Sequence, residues 1–248
     1  MKAPLLLKQI EEQPYSYLPE KSIHCLKAFV DGYAHGVSDF TELDNFLGDF
    51  HAWIKSHFGI TSSQSWDKVI LFYSANQFYA FVNTFKLIDE FLTESQNKSD
   101  KHAPQVPIEN AYETCFVDEF NVDSPELTTQ GGGVETQDAG IENNRKNITA
   151  TSMIIPDLLN QIRLRPGLYL EETSVTCLKG FLDGATPGNV EIAEFINSFH
   201  EWIEKRFEIL SSQSWSKIIT FFSQDEFDAF HRAFELMDEF ISGQSGRP

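Results

Sequence analysis

Apolar residues recur at steps of three and four in two stretches of the first half of the chain. Over residues 38–58 they are Phe40, Leu43, Phe46, Leu47, Phe50, Trp53, Ile54 and Phe58. Over residues 75–92 they are Phe78, Phe81, Val82, Phe85, Ile88, Phe91 and Leu92. Such spacing places the side chains on one face of a helix, so the pattern predicts two amphipathic helices. Ser38 is a candidate N-cap for the first, and Ser74-x-x-Gln77 is a candidate capping box for the second.

Shorter helices are predicted from their end signals. Pro4 suits the first turn of a helix. Ser22 can cap a helix that ends near Gly32, because glycine is the usual stop residue. The apolar run Val69–Tyr73 fits either a buried strand or a buried helix, which periodicity alone does not separate. We favour a helix over residues 66–73, since Gln64-Ser65 supplies a start and no hairpin partner is visible.

The chain contains a tandem duplication, which is a strong organising signal. Residues 4–32 align with 156–184, and 16 of these 29 positions are identical. Residues 50–92 align with 199–241, and 23 of these 43 positions are identical. The two copies are therefore predicted to share one fold. In the second copy, Ser174 can cap a helix that ends near Gly184, and Ser223-x-x-Glu226 is a candidate capping box for the last helix.

The duplication predicts an all-α protein with two homologous helical modules of about five helices each, joined by a long acidic linker. The predicted boundaries are 1–92 for the first module, 93–155 for the linker and 156–248 for the second module. Residues 93–150 carry four basic and eleven acidic residues and a Gly131-Gly132-Gly133 run, which is typical of a linker with little core. Its aromatic part, with Asp118, Glu119 and Asp123, either packs on a module as an arm or contacts a partner.

Composition narrows the function classes. The 248 residues include 19 Lys and Arg against 37 Asp and Glu, a net charge of −18. Such a chain is a poor binder of nucleic acid and of anionic membranes but attracts a basic protein. No apolar stretch reaches the roughly 18–20 residues of a spanning helix. The apolar run after Met1 is too short for a signal peptide, so the cytoplasm is the expected compartment.

No catalytic, cofactor or metal motif is present in the sequence. Phosphate-binding glycine loops and the G-x-S-x-G elbow are absent. Cys25 and Cys177 lie in apolar helices and are expected to be buried and inert. His51 and His200 sit between core aromatics, and Lys55 stands where a second ligand to His51 would be needed. We therefore predict no enzyme activity, no cofactor and no metal.

The most unusual matched element is the Ser-Ser-Gln-Ser-Trp run at 62–66 and 211–215. One interpretation is helix capping, with Trp66 and Trp215 as core anchors. The other is a polar docking loop, whose candidate partner-binding residues are Ser62, Gln64, Ser211 and Gln213. Asp118, Glu119 and Asp123 complete the set of predicted contact residues.

The second module resembles small bacterial proteins of immunity type, which are paired with polymorphic or contact-delivered toxins. The resemblance rests on five segments, of which the first begins with Arg-Pro-Gly: Arg165–Leu170, Cys177–Gly184, Phe199–Ile203, Ser211–Ile219 and Leu236–Phe240. The first module departs from it, since Gln13-Pro14-Tyr15 replaces Arg165-Pro166-Gly167. The resemblance implies a protein that blocks a cognate toxin by direct binding.

Charge and resemblance together predict a cytoplasmic immunity protein whose acidic surface binds a basic toxin, most simply a nuclease. The alternative is a non-catalytic adaptor or regulatory scaffold in which two modules hold two ligands.

Overall fold

A computed structural model describes residues 3–37, 41–100, 155–209 and 213–245, with side chains described as far as 97 and 243 in the second and fourth of these ranges. Within them the chain is all-α and contains no strand, as predicted. Residues Met1–Gln96 and Ser152–Pro248 form one compact unit, so both repeats share it.

Each repeat contributes five α-helices in the described ranges. In the first repeat they are α1 (Ala3–Glu12), α2 (Ile23–Gly36), α3 (Thr41–His57), α4 (Trp66–Phe72) and α5 (Gln77–Asp100). In the second they are α6 (Ile155–Leu164), α7 (Val175–Ala185), α8 (Val190–Arg206), α9 (Trp215–Phe221) and α10 (Glu226–Ser245). Short 3-10 turns follow α1, α6 and α7, at Pro14–Ser16, Pro166–Leu168 and Thr186–Gly188. The prediction of a helix rather than a strand over 66–73 is confirmed.

The predicted caps of the central helices are present. The Ser22 hydroxyl accepts a hydrogen bond from the Cys25 amide at 3.4 Å, and the Ser174 hydroxyl accepts one from the Cys177 amide at 3.0 Å. Each satisfies an amide that the first helical turn leaves unpaired. The candidate cap Ser38 lies outside the described residues.

The predicted capping box at Ser74-x-x-Gln77 is wrong. Asn76 caps α5, because its Oδ1 accepts from the Tyr79 amide at 3.0 Å. The Ser74 hydroxyl instead donates to the Ile70 carbonyl of α4 at 2.7 Å. The prediction placed the start of α5 two residues too early. Ser74 instead contacts the end of the preceding helix, α4.

The second box, Ser223-x-x-Glu226, is wrong for the same reason. Asp225 Oδ1 accepts from the Asp228 amide at 2.8 Å, and the Ser223 hydroxyl donates back to the Ile219 carbonyl at 2.9 Å. The Glu226 carboxylate reaches α7, where it accepts from the Thr176 hydroxyl at 3.0 Å. This side chain therefore ties α10 to α7 and does not close its own helix start.

Gly32 does not end a helix, contrary to the prediction; it lies inside α2, which continues to Gly36. The absence of a side chain at Gly32 allows α7 to pack closely against α2. A Cβ on Gly32 would lie 1.9 Å from the Phe181 carbonyl oxygen, and one on Gly184 would lie 2.0 Å from the Phe29 carbonyl oxygen. Any side chain at either position would collide with backbone, so these glycines permit close packing of two helices.

The glycine contacts also give the direction of the two helices. Gly180 faces Cys25 and Gly184 faces Phe29, and Gly188, in the turn that follows α7, faces Gly36 at the end of α2. Residue numbers therefore rise together along both helices, which means that α2 and α7 run parallel. We call this contact the α2–α7 seam.

Each repeat also has a core of its own. One buried apolar cluster gathers residues of the first repeat, from Ala3 to Ile88, and another gathers residues of the second, from Leu158 to Phe240. Ala28 of α2 belongs to the second cluster, because it packs across the seam. Cys25 and Cys177 are buried, as predicted. None of the described helices combines the length and the apolar content that a membrane span requires.

Candidate functional site

The serine-rich loop before α4 is fixed through its backbone. The His51 Nε2–H donates to the Gln64 carbonyl oxygen at 2.9 Å, and Trp66 is buried directly after the loop. The side chains of Ser62 and Gln64 are exposed. His51 therefore has a structural role, and the two predicted contact residues face solvent.

The second repeat reproduces this arrangement. The His200 Nε2–H donates to the Gln213 carbonyl oxygen at 3.1 Å, Trp215 is buried, and the Gln213 residue is exposed. Ser211 lies outside the described residues, as do Asp118, Glu119 and Asp123. The structure thus keeps Gln64 and Gln213 at equivalent places in two separate loops.

Near the contact between the two repeats, one carboxylate is buried and a second is partly buried. Asp67, at the start of α4, is 1% exposed, and neither of its carboxylate oxygens has a hydrogen-bond partner among the described residues. Burial raises the pKa of Asp67, and the nearby Glu171 adds to this, while Ser65 and Lys27 act in the opposite direction. Burial likewise raises the pKa of Asp31, against the opposing effect of Lys27, which donates to its carboxylate.

One ion pair and one histidine–carboxylate hydrogen bond join the repeats around this buried group. Lys68 Nζ lies 3.1 Å from Glu171 Oε2, and His24 Nδ1 lies 3.1 Å from Glu172 Oε2. The contact with Glu171 raises the pKa of Lys68. These charges are accounted for by contact between repeats. Within the described ranges, no three His, Cys, Asp or Glu side chains converge as ligands for a metal ion.

A groove of about 390 Å³ runs between α1 and the middle of α5, lined by apolar side chains that include Leu5, Phe85 and Leu92. Its counterpart in the second repeat is occupied by Arg163. The guanidinium stacks 5.0 Å from the Phe234 ring centre and donates to Asp238 Oδ2 at 2.7 Å. The first repeat has Glu11 at the position of Arg163, which leaves its groove open.

The clearest exposed apolar feature is a set of aromatic side chains on both sides of the turn between the last two helices of each repeat. Phe72 is 79% exposed and Phe221 is 78% exposed. Across the turn, Phe78 is 48% exposed and Phe227 is 60% exposed. We call Phe72, Tyr73 and Phe78 the first aromatic surface. We call Phe221, Phe222 and Phe227 the second aromatic surface.

The exposed rings stand on anchored neighbours. Phe222 stacks on Phe207 with ring centres 4.7 Å apart, and the Phe221 ring packs edge-on against Phe222 at 5.1 Å. Arg232 donates to the Phe222 carbonyl oxygen at 2.7 Å. In the first repeat Tyr73 stacks on Phe58 at 4.4 Å. Each exposed phenylalanine at the end of α4 or α9 is therefore held beside a fixed ring.

Neither core requires these rings, yet both copies keep them. Phe72/Phe221 and Phe78/Phe227 are identical between the repeats, whereas the neighbouring pairs Tyr79/Asp228 and Asn83/Arg232 differ. The sequence pattern had placed Phe78 on the apolar face of its helix, but the ring lies in the first turn and projects outward. The sequence signal that could have identified these rings is residue identity between the two repeats at positions away from the buried face of the helix. Phe72 is such a position, because it follows the buried Ile70 by two residues, which is about 200° around a helix.

Comparison with protein-family models, with curated proteins and with solved structures finds no match to this chain.

Proposed function

We propose that this chain works by binding a basic protein, as an immunity-type protein that neutralises a cognate toxin in the cytoplasm. The observation that carries the proposal is the pair of exposed aromatic surfaces, each present in the same place in its repeat. Exposed phenylalanines are costly to leave in water and gain free energy when a partner covers them. They are also the kind of side chain that anchors protein interfaces.

The acidic balance supports a basic partner. The full chain carries −18, of which −7 falls on residues 93–150 and −11 on the rest, so the negative charge extends over both repeats. A field of this sign speeds the encounter with a cationic protein, and the effect weakens as salt screens it. A nuclease that acts on cytoplasmic nucleic acid would present such a cationic surface.

The test uses the proteins encoded by the two genes that flank the gene for this chain, one of which we expect to be a toxin. We expect the full chain to form a stoichiometric complex with it, to protect cells that produce it, and to bind faster at low salt than at high salt. Absence of a complex, or of protection, would refute the proposed function. Binding that does not change with salt would refute its electrostatic part alone.

The second candidate is an adaptor that holds two ligands. The observation that favours it is the equivalence of the two aromatic surfaces, because each repeat offers the same exposed rings. Native mass spectrometry of the complex separates the two candidates. An adaptor binds two partner molecules and loses one when Phe72 and Phe78 are replaced by serine, whereas an immunity protein with one contact surface binds a single toxin molecule throughout.

A further inference from the structure

We propose that the second aromatic surface is the contact site for the partner, and that it takes an apolar side chain flanked by arginine or lysine. This inference rests on the proposed function and assigns the partner's chemistry at the site. It comes from three features of the described residues: the exposed rings, their fixed positions and the acids around them.

The rings of the second aromatic surface offer apolar area in a fixed arrangement. Phe221 and Phe227 are exposed at the end of α9 and in the first turn of α10, and Phe222 lies between them in sequence, stacked on Phe207. A partner that covers rings already held in place loses little conformational entropy, which favours affinity.

The two aromatic surfaces differ in the charge next to them. In the second repeat Phe227 is flanked by Asp225, Glu226 and Asp228. The equivalent positions of the first repeat are Asn76, Gln77 and Tyr79, all uncharged. Only the second surface therefore combines exposed phenylalanine with local negative charge, which is the complement of an apolar side chain among cations.

These acids are held in place by hydrogen bonds. Asp225 accepts from the Asp228 amide, Asp228 Oδ2 accepts from the Gln224 amide at 2.9 Å, and Glu226 accepts from Thr176. Each of these donors is an uncharged amide or hydroxyl group, so none of them is a counter-ion to the acid that it contacts. An arginine arriving here can also stack on an exposed ring, which adds a cation–π contact.

Two basic groups lie nearby. The Arg232 guanidinium sits over the Phe207 ring with 5.6 Å between its carbon and the ring centre, and it donates to the Phe222 carbonyl. The His231 ring packs against Phe227 at 4.4 Å. Arg232 is thus engaged with the base of the surface, and the three acids remain in excess over it.

The same charges disfavour other occupants. A second copy of this chain would bring identical acids face to face, which costs free energy when like charges meet. An anionic membrane or a nucleic acid would be repelled for the same reason.

The test uses the full chain and a dye-labelled synthetic peptide with two central leucines flanked by arginines on both sides. One control peptide has serine in place of leucine, and another has glutamate in place of arginine. We expect the leucine–arginine peptide to bind by fluorescence anisotropy and each control to bind about tenfold more weakly or not at all.

Two matched double variants locate the binding. Phe221→Ser with Phe227→Ser should weaken the peptide about tenfold, since it removes two exposed rings. Phe72→Ser with Phe78→Ser makes the same change in the first repeat and should leave binding unchanged. Circular dichroism spectra that match the wild type show that both variants fold.

A third variant tests the charge. Asp225→Asn with Asp228→Asn keeps side-chain oxygens that can accept the helix-start hydrogen bonds and removes two charges. It should weaken the peptide severalfold at low salt and have little effect at high salt.

The assignment is overturned if wild type does not bind the leucine–arginine peptide, if both serine variants lose binding equally, or if the glutamate peptide binds as well as the arginine peptide. The toxin experiment separates this failure from failure of the proposed function. If the toxin complex still forms with the Phe221→Ser, Phe227→Ser variant, the contact site is refuted and the proposed function is not. If wild type forms no toxin complex, the proposed function itself is refuted.

Discussion

Cys25 and Cys177 are both buried on the helices that form the α2–α7 seam, one from each repeat, and they lie near enough for Cys177 to affect the ionisation of Cys25. Both occupy the same position in their repeat, in the capped first turn of the helix. Parallel helices at close range bring equivalent residues side by side, so this proximity follows from the direction of the seam. The nearby Cys177 together with burial raises the pKa of the Cys25 thiol.

We expect both thiols to resist alkylation in the folded protein, because the thiolate is the reactive form and burial blocks the reagent. The measurement is iodoacetamide labelling followed by mass spectrometry, in a Cys115→Ser background at mildly alkaline pH. Both thiols should react once urea unfolds the chain. The control adds Ser62→Cys, an exposed position that should react at once. Rapid labelling of Cys25 before unfolding would contradict the buried pair.

Replacing Gly32 by alanine should destabilise the protein by about 2 kcal/mol or more, because the new Cβ collides with the Phe181 carbonyl and forces the helices apart. Gly184→Ala should behave in the same way against Phe29. The measurement is urea unfolding followed by circular dichroism.

Gly48→Ala is the matched control. Gly48 also lies within a helix, but a Cβ there meets nothing within 4 Å. Alanine at such a site favours the helix by about 0.5–1 kcal/mol, so this variant should be more stable than wild type. A stabilising Gly32→Ala would show that the seam is not closely packed.

Asp67→Asn should stabilise the protein at neutral pH. The folded protein holds the Asp67 proton more tightly than the unfolded chain, whose carboxyl has its ordinary pKa near 3.8. The contribution of the Asp67 carboxyl to the free energy of unfolding is therefore fully present below pH 3.8, and it is lost as the pH rises through the raised pKa. We expect a gain of about 1–2 kcal/mol at pH 7, from the removal of an unpaired buried charge, that shrinks toward pH 4.

The reverse change supplies its control. Ser216 occupies the position of Asp67 in the second repeat and is also buried. Ser216→Asp should destabilise the protein at pH 7 and do so less at pH 4. Unfolding curves at several pH values measure both variants. A difference between Asp67→Asn and wild type that stays constant with pH would refute the argument.

Glu11→Arg should stabilise the first repeat by about 0.5–1 kcal/mol, because an arginine there can stack on Phe85 and reach Asp89 as Arg163 does with Phe234 and Asp238. The exposed ion pair between Lys8 and Glu11 is lost, at small cost. Arg163→Glu is the inverse variant and should destabilise. Thermal unfolding measures both, and a destabilising Glu11→Arg would show that the grooves are not equivalent.

The helical class and the helix over 66–73 could be predicted from the sequence because they depend on local periodicity and end signals. The errors arose at residues that resemble helix-end signals in the sequence but make contacts with a distant part of the chain in the structure. Gly32 resembles a helix stop but provides clearance for α7, and Gln77 resembles a capping residue but accepts from the Ser22 hydroxyl of α2 at 2.9 Å. Phe72 and Phe221 were missed because an apolar run does not reveal which of its members face solvent. Lys68 pairs with Glu171 of the other repeat, a contact that local sequence patterns do not indicate.

Parallel packing at the seam has a consequence for how the chain can change over time. In a homodimer each substitution appears in both subunits, so an alteration at one face is imposed on the other. Here one polypeptide carries both halves, and a mutation enters a single half while the shared helix pair stays intact. Three pairs of equivalent positions already differ in residue type between the two repeats: Glu11/Arg163, Asp67/Ser216 and Tyr79/Asp228.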